Sequence, residues 1–195
     1  GDPIINEKGW EVKKLGEICL IRRGASPRPI KNFLGGIVPW IKIGDATKGN
    51  DIYIEETNKK IIEDGVSKSI LLKKGSFVFA NCGVSLGFAR ILKINGCIHD
   101  GWLSFENIKN DINKLFLLKL INQITLYLRG VAPDGTQPNL NTSIMKNLDI
   151  CIPPVDLQNK FVSIVDQVEK TKQKMRDSLD EMDNHFNALM QRYFE

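Results

Sequence analysis

The chain has 195 residues, 42% hydrophobic and 26% charged, with a formal net charge of +4 at pH 7. That suits one globular domain with an appendage and excludes a chain that is mainly disordered, a collagen-like repeat or a disulfide scaffold. The longest apolar runs, such as Ile70-Leu71-Leu72 and Leu115-Phe116-Leu117-Leu118, fall far short of the ~20 residues of a membrane-spanning helix, and Gly1 to Lys14 has no apolar core of a secretory leader.

The opening stretch predicts a short strand over Glu17–Arg23, stopped by Gly24. Ala25-Ser26-Pro27-Arg28-Pro29-Ile30 follows. Its two prolines fix φ, remove donors and restrict the residues before them, so this is a loop. A second strand is predicted over Val38–Ile43, with Trp40 packing in the core, and then a polar loop over residues 44–51. Ser76–Asn81 and Phe88–Ile94 read as strands joined by Cys82-Gly83-Val84-Ser85-Leu86-Gly87. Cys97–Phe105 is strand-like but interrupted at His99-Asp100-Gly101. One helix is predicted over Asp111–Arg129, capped by Asn110 or Asp111 and ended by Gly130, with Leu117, Leu118, Leu126 and Leu128 widening a buried face. A turn-rich segment, residues 132–141, leads to a helical turn near Ser143–Asn147 and a strand over Leu148–Ile152.

Pro153-Pro154 separates this β-rich part, residues 1–152, from a tail, residues 153–195. The tail is strongly periodic. Leu157, Phe161, Ile164, Val168, Thr171, Met175, Leu179, Met182, Phe186, Leu189 and Tyr193 follow one another at spacings of 4-3-4-3-4-4-3-4-3-4. This is a coiled-coil seam with one polar member and one extra four-residue step near Met175–Leu179. A helix of about 38 residues is ~57 Å long, more than a small domain can cover, so a partner helix is expected. The expected class is α+β: a β-rich domain with irregular loops, then a long coiled-coil-forming helix. Charge divides the same way. Residues 156–195 hold six Lys/Arg and eight Asp/Glu, net −2, leaving 21 basic and 15 acidic residues, net +6, in the remainder. A basic domain beside an acidic tail points to an anionic partner for the domain.

Catalytic constellations are poorly represented. The one Pro-Pro, in Ile152-Pro153-Pro154-Val155, lacks the flanks with which an adenine methyltransferase holds a flipped base. There is no Pro-Cys nucleophile, no phosphate-binding glycine loop and no nuclease carboxylate–lysine element after Pro133-Asp134. Cys82 with His99, or Ser85 with His99 and Asp100, can be assembled on paper as a nucleophile and base, but any chain of this size offers such combinations, and core packing of Cys82 and a polar loop position for His99 explain them better. Cys19, Cys82, Cys97 and Cys151 form no Cys-x-x-Cys pair, so reduced thiols in a cytoplasmic protein are expected rather than a zinc site. What remains suits DNA. Arg28 and Lys31 can reach phosphate or guanine, Asn81, Gln137, Asn139 and Asn141 suit adenine edges or backbone, and Asp45 and Asp100 can accept from cytosine. Arg22, Lys42, Thr47, Lys48, Ser85 and His99 are further candidates for DNA contact.

Five segments, in order, resemble the specificity subunit of type I restriction–modification systems. Gly9-Trp10-Glu11-Val12-Lys13-Lys14-Leu15-Gly16-Glu17-Ile18 resembles the start of its target-recognition domain, and Ser26-Pro27-Arg28-Pro29 the loop after it. Val38-Pro39-Trp40-Ile41-Lys42-Ile43-Gly44-Asp45, Gly135-Thr136-Gln137-Pro138-Asn139-Leu140 and Ile152-Pro153-Pro154-Val155-Asp156-Leu157-Gln158 resemble its later strand, its Gln-containing segment and the junction to its long helix. The resemblance implies a non-catalytic role in reading double-stranded DNA. Modification subunits would carry S-adenosylmethionine, and restriction subunits, where present, ATP and Mg; no cofactor or metal is expected on this chain. A full subunit of that family has two recognition domains and two long helices, and one of each is present here. The resemblance therefore implies antiparallel pairing of the tail with a second copy or with an equivalent helix in a longer chain. Two other readings are weighed against it: a helical assembly protein that does not touch DNA, and a stand-alone methyltransferase or nuclease.

Overall fold

Side chains alternate between the two faces of a strand, and here that alternation decides which layer each residue enters. The computed structural model describes residues 4–47, 51–83, 86–132 and 139–194. The chain divides into two units, Gly1–Pro154 and Val155–Glu195. In chain order the first unit holds β1 (Glu11–Lys14), a helical turn α1 (Leu15–Ile18), β2 (Leu20–Arg23), β3 (Leu34–Ile41), β4 (Tyr53–Ile54), β5 (Lys60–Ile61), α2 (Glu63–Val66), β6 (Ile70–Leu72), β7 (Phe77–Ala80), β8 (Ala89–Leu92), β9 (Gly96–Ile98) and β10 (Trp102–Glu106). Helices α3 (Lys114–Gln123), α4 (Thr125–Val131) and α5 (Thr142–Lys146) and strand β11 (Asp149–Ile152) complete it. Single 3-10 turns lie at Ile30–Phe33 and Ile43–Thr47.

Among the described residues the strands form a five-stranded sheet, β2-β10-β7-β8-β4, a four-stranded sheet, β5-β3-β9-β6, and a two-stranded sheet, β1-β11. Strands β3 and β9 run parallel, with Trp40 opposite Cys97 and Ile41 opposite Ile98. Ile41 and Ile98 therefore enter the core between the two larger sheets, with Val78, Ala80, Leu92 and the fully buried Trp102. The Trp102 indole N–H donates to the Ile41 carbonyl at 3.2 Å, a hydrogen bond from one sheet to the other. Trp40 and Cys97 turn to the opposite face and pack with Phe33 and Ile61. On the far side of the five-stranded sheet, Phe105 stacks on Phe77 and Phe79, with ring centroids 5.0 and 5.8 Å apart.

Several boundaries differ from the sequence reading. Within Glu17–Arg23 the chain first finishes the turn α1, because the Lys14 backbone N–H donates to Glu17 Oε2 at 3.0 Å and Leu15 and Ile18 are buried beneath it. The strand begins only at Leu20. The strand expected from Val38 starts at Leu34 and gives way to a 3-10 turn at Ile43. The helix expected over Asp111–Arg129 is two helices broken at Ile124 (φ −92, ψ 15). Its cap is Asn113, whose side chain accepts from the N–H groups of Leu115 and Phe116, and Gly130 lies inside α4. The break has a local cause. Asn122 Oδ1 accepts from the Ala89 N–H at 2.7 Å and Thr125 Oγ1 donates to the Gly87 carbonyl at 2.7 Å, so both side chains tie the helix to neighbouring backbone at that point. Leu126, expected in the buried face, is 81% exposed.

The second unit is one helix, α6 (Val155–Phe194), of 40 residues, on the order of 60 Å long. The ten apolar seam residues, Leu157 to Tyr193, are 39–72% exposed. No helix among the described residues is long and apolar enough to cross a membrane.

Candidate nucleic-acid interface

The proline loop and the end of β9 meet because Gly24 lets their backbones approach, and Gly101 leaves room for the His99 ring. A Cβ on Gly24 would run into the His99 carbonyl, and one on Gly101 into the His99 ring. The Gly24 N–H donates to the Trp102 carbonyl at 2.9 Å, and the Ala25 N–H to the Ile98 carbonyl at 3.2 Å. His99 follows Cys97 by two residues and so shares its face with Trp40; their ring centroids lie 6.2 Å apart. Around them opens a cleft of about 790 Å³, lined by Ser26, Pro27, Arg28, Pro29, Ile30, Lys31, Leu34, Trp40, Lys42, Lys59 and His99. Four cations thus share one open depression with an indole and an imidazole.

The turn at residues 99–101 controls its charge. The Gly101 N–H donates to His99 Nδ1 at 2.8 Å, which assigns the ring proton to Nε2. Burial, and secondarily the positive charge of Lys42, hold the His99 pKa below the ordinary histidine value despite Asp100 nearby. The 3.7 Å approach of Nδ1 to Asp100 Oδ1 is therefore no ion pair at neutral pH, since that nitrogen is already the acceptor of the Gly101 N–H. Asp100 is the fixed anion here. Its Oδ1 accepts from the Ser26 hydroxyl at 2.6 Å and its Oδ2 from Arg28 Nη2 at 3.0 Å. Burial alone would raise its pKa, but the Ser26 hydrogen bond, its own backbone and the Arg28 charge outweigh that and hold the carboxyl below its ordinary value. Cys82 lies beside this turn, and burial pushes its thiol pKa up. A neutral thiol and a neutral imidazole do not form the thiolate–imidazolium pair of a cysteine nucleophile.

Of the residues singled out in the sequence, the fold brings Arg28, Lys31, Lys42, His99 and Asp100 together. Several others are engaged within the fold. Asp45 is buried, and its carboxylate accepts from the Lys42 N–H (2.8 Å), the Thr57 hydroxyl (2.8 Å) and the Asn58 N–H (3.3 Å); it braces the strand–turn junction. Asn81 is 0% exposed, with its Nδ2 3.4 Å from Asn139 Oδ1. Asn139 pairs by a backbone bridge with Cys82, and Asn141 caps α5. Arg22 is bound to Glu106 at 3.0–3.1 Å on β10, and the Thr47 hydroxyl donates to the Gly44 carbonyl. Lys48, Ser85 and Gln137 lie outside the described residues. The sequence reading missed Arg23, whose Nε donates to the Asp100 carbonyl at 2.9 Å. Period-two alternation separates it from Arg22 and gives it the face of the buried Ile21. It also missed Lys59, for which no local signal exists: its carbonyl accepts from the Trp40 N–H at 2.8 Å, which sets it at the cleft through the pairing of β3 with β5.

Comparison with known proteins gives the family and the fold. Residues 7–182 match the family described as type I restriction modification DNA specificity domain. The chain belongs to that family. The specificity-domain relatives include the type I restriction enzyme MjaIX specificity subunit of Methanocaldococcus jannaschii, 28% identical over 185 residues, which cover 90% of this chain and 42% of the relative. The chain thus spans less than half the length of that relative. Solved structures share the fold. A chain from a study of complex assembly and conformational transition of the type I R-M system matches with a TM-score of 0.69 at 19% identity, covering 94% of this chain and 44% of its own length. The HsdS subunit from Thermoanaerobacter tengcongensis matches with a TM-score of 0.64 at 17% identity, covering 87% and 40%. The α+β class and the long terminal helix follow that pattern.

Proposed function

We propose that this chain reads one segment of double-stranded DNA for a type I restriction–modification assembly and catalyses no step itself. The observation that carries the reading is the cleft: Arg28, Lys31, Lys42 and Lys59 around a neutral imidazole, on loops held by two opposed sheets. The three lysines suit the phosphate backbone, and a neutral His99 leaves its Nε2–H as a donor without adding charge. Residues 1–152 are the target-recognition domain and residues 153–195 the spacer helix. S-adenosylmethionine belongs to modification subunits, and ATP with Mg to restriction subunits where these are present; DNA and modification subunits are the partners.

The spacing of the α6 seam, 4-3-4-3-4-4-3-4-3-4, reads the same in both directions about Met175. Two copies run antiparallel about a twofold axis at Met175 would set Leu157 against Tyr193, Phe161 against Leu189, Ile164 against Phe186 and Val168 against Met182. This symmetry supports pairing with a second copy, or with an equivalent helix in a longer chain. The reading is tested by fluorescence anisotropy of the full chain with random-sequence duplexes at two salt concentrations. Binding is expected to weaken steeply with salt, and Lys31→Ala or Lys42→Ala to lower the salt slope by about one each. Absence of binding at low salt refutes the reading and leaves the assembly-only alternative.

A further inference from the structure

We propose that Arg28 reads a guanine in the major groove and that Asp100, fixed by Ser26, is the positioning residue that holds its guanidinium for that contact. This rests on the DNA-reading function above. Arg28 is held at both ends. Pro27 and Pro29 flank it, so the backbone on either side has a fixed φ and Arg28 itself, preceding a proline, is confined to extended conformations. At the other end Nη2 donates to Asp100 Oδ2 at 3.0 Å. Asp100 is in turn immobilised: Ser26 donates to its Oδ1 at 2.6 Å, and Arg23 Nε donates to its backbone carbonyl at 2.9 Å. The Arg28 side chain nevertheless remains 77% exposed, so the carboxylate orients the guanidinium without burying it.

The remaining donors match one base. Nη2 carries two hydrogens; whichever one Asp100 takes, the other forms a complete two-donor edge with Nε or with Nη1. Guanine alone offers two adjacent acceptors, N7 and O6, in the major groove. Adenine pairs one acceptor with a donor, cytosine presents a donor, and thymine a single acceptor beside a methyl group. The Asp100 carboxylate also separates base from phosphate. A phosphate on Arg28 would sit beside an anion and be repelled, whereas a neutral base edge would not. Lys31, Lys42 and Lys59, with no acidic side chain bound to them among the described residues, are left for the phosphates.

The test is selection of duplexes from a random library by the full chain, followed by affinity measurements on the selected duplex and its single-base variants. The unaltered chain is expected to prefer guanine at one position. Arg28→Ala and Arg28→Lys should each flatten that position by on the order of tenfold and leave the other positions and the salt slope unchanged. Asp100→Ala should flatten the same position, and the Arg28→Ala/Asp100→Ala double variant should be no worse than Arg28→Ala alone, because the two act as one unit. A merely structural Asp100 would lower affinity at every position. The inference is overturned if Arg28→Lys keeps the guanine preference, if Arg28→Ala weakens all sequences equally with a shallower salt slope, or if Asp100→Ala acts at another position; in each case the DNA-reading function stands. A chain that binds no duplex, or binds without preference, overturns both.

Discussion

The α6 seam allows a charge-swap experiment in which orientation decides the outcome. Ile164 and Phe186 are each 60% exposed. Burying an Ile or Phe side chain completely stabilises by about 1.5–3 kcal/mol, so covering the exposed three-fifths contributes ~1–2 kcal/mol per residue. In a symmetric pair each residue occurs twice, so loss of one position costs about 2–4 kcal/mol, or roughly a 30- to 700-fold rise in the dissociation constant. Ile164→Glu should reach at least this, since the carboxylate must also be desolvated. Light scattering across a concentration series measures it, and circular dichroism reports whether residues 1–154 stay folded. Adding Phe186→Lys should restore pairing, because the palindrome about Met175 sets residue 164 of one copy against residue 186 of the other, giving two Glu–Lys contacts. In a parallel pair the same double variant would oppose Glu to Glu and Lys to Lys, and would be worse than the single variant. A double variant no tighter than Ile164→Glu, or a single variant that dimerises as the parent does, refutes the antiparallel seam.

Inserting four residues beside Met175 should lengthen α6 by about 6 Å, or roughly two base pairs of DNA, while nearly completing a helical turn; the assembled complex should then select targets with a longer gap and unchanged flanking sequences. Gly24→Ala should destabilise the first unit by about 1–3 kcal/mol in urea unfolding, because its Cβ would meet the His99 backbone rather than a side chain that can move; an unchanged midpoint would show that the two backbones can separate freely. His99 has a folded pKa below its unfolded value of about 6.5. As pH falls through that value the unfolded chain takes up a proton that the folded chain does not, so stability should drop with falling pH below about 6.5. His99→Gln should remove this part of the decline, and equal declines in parent and variant would contradict a buried neutral imidazole.

Periodicity carried the long helix. A seam repeated over some forty residues needs no tertiary partner to be recognised, since each turn reports the same face. The order of family-like segments likewise points to the DNA specificity domain from the sequence alone. Short strands were less legible. β4, β5 and β6 hold two or three residues each, too few for alternation to register, and they exist because neighbouring strands offer them hydrogen bonds. The break at Ile124 was hidden for a similar reason: Asn122 and Thr125 look like ordinary helix-surface residues until the backbone at Gly87 and Ala89 lies beside them. The same holds at the cleft. Side-chain chemistry named Arg28, Lys31, Lys42, His99 and Asp100 as candidates to meet DNA, together with Arg22, Asp45 and Asn81, since that chemistry is local to each residue. Whether a carboxylate faces a ligand or its own protein depends on what lies opposite in space. Asp45 and Asp100 are indistinguishable as letters, yet the first closes on the Lys42 N–H and Thr57 hydroxyl inside its own junction, while the second sits in the turn that carries the chain from β9 in one sheet to β10 in the other and there meets Ser26 and Arg28, more than seventy residues away in sequence. Only the tertiary structure supplies that partner, because a hydrogen bond is decided by distance and direction, which no single segment of the chain contains.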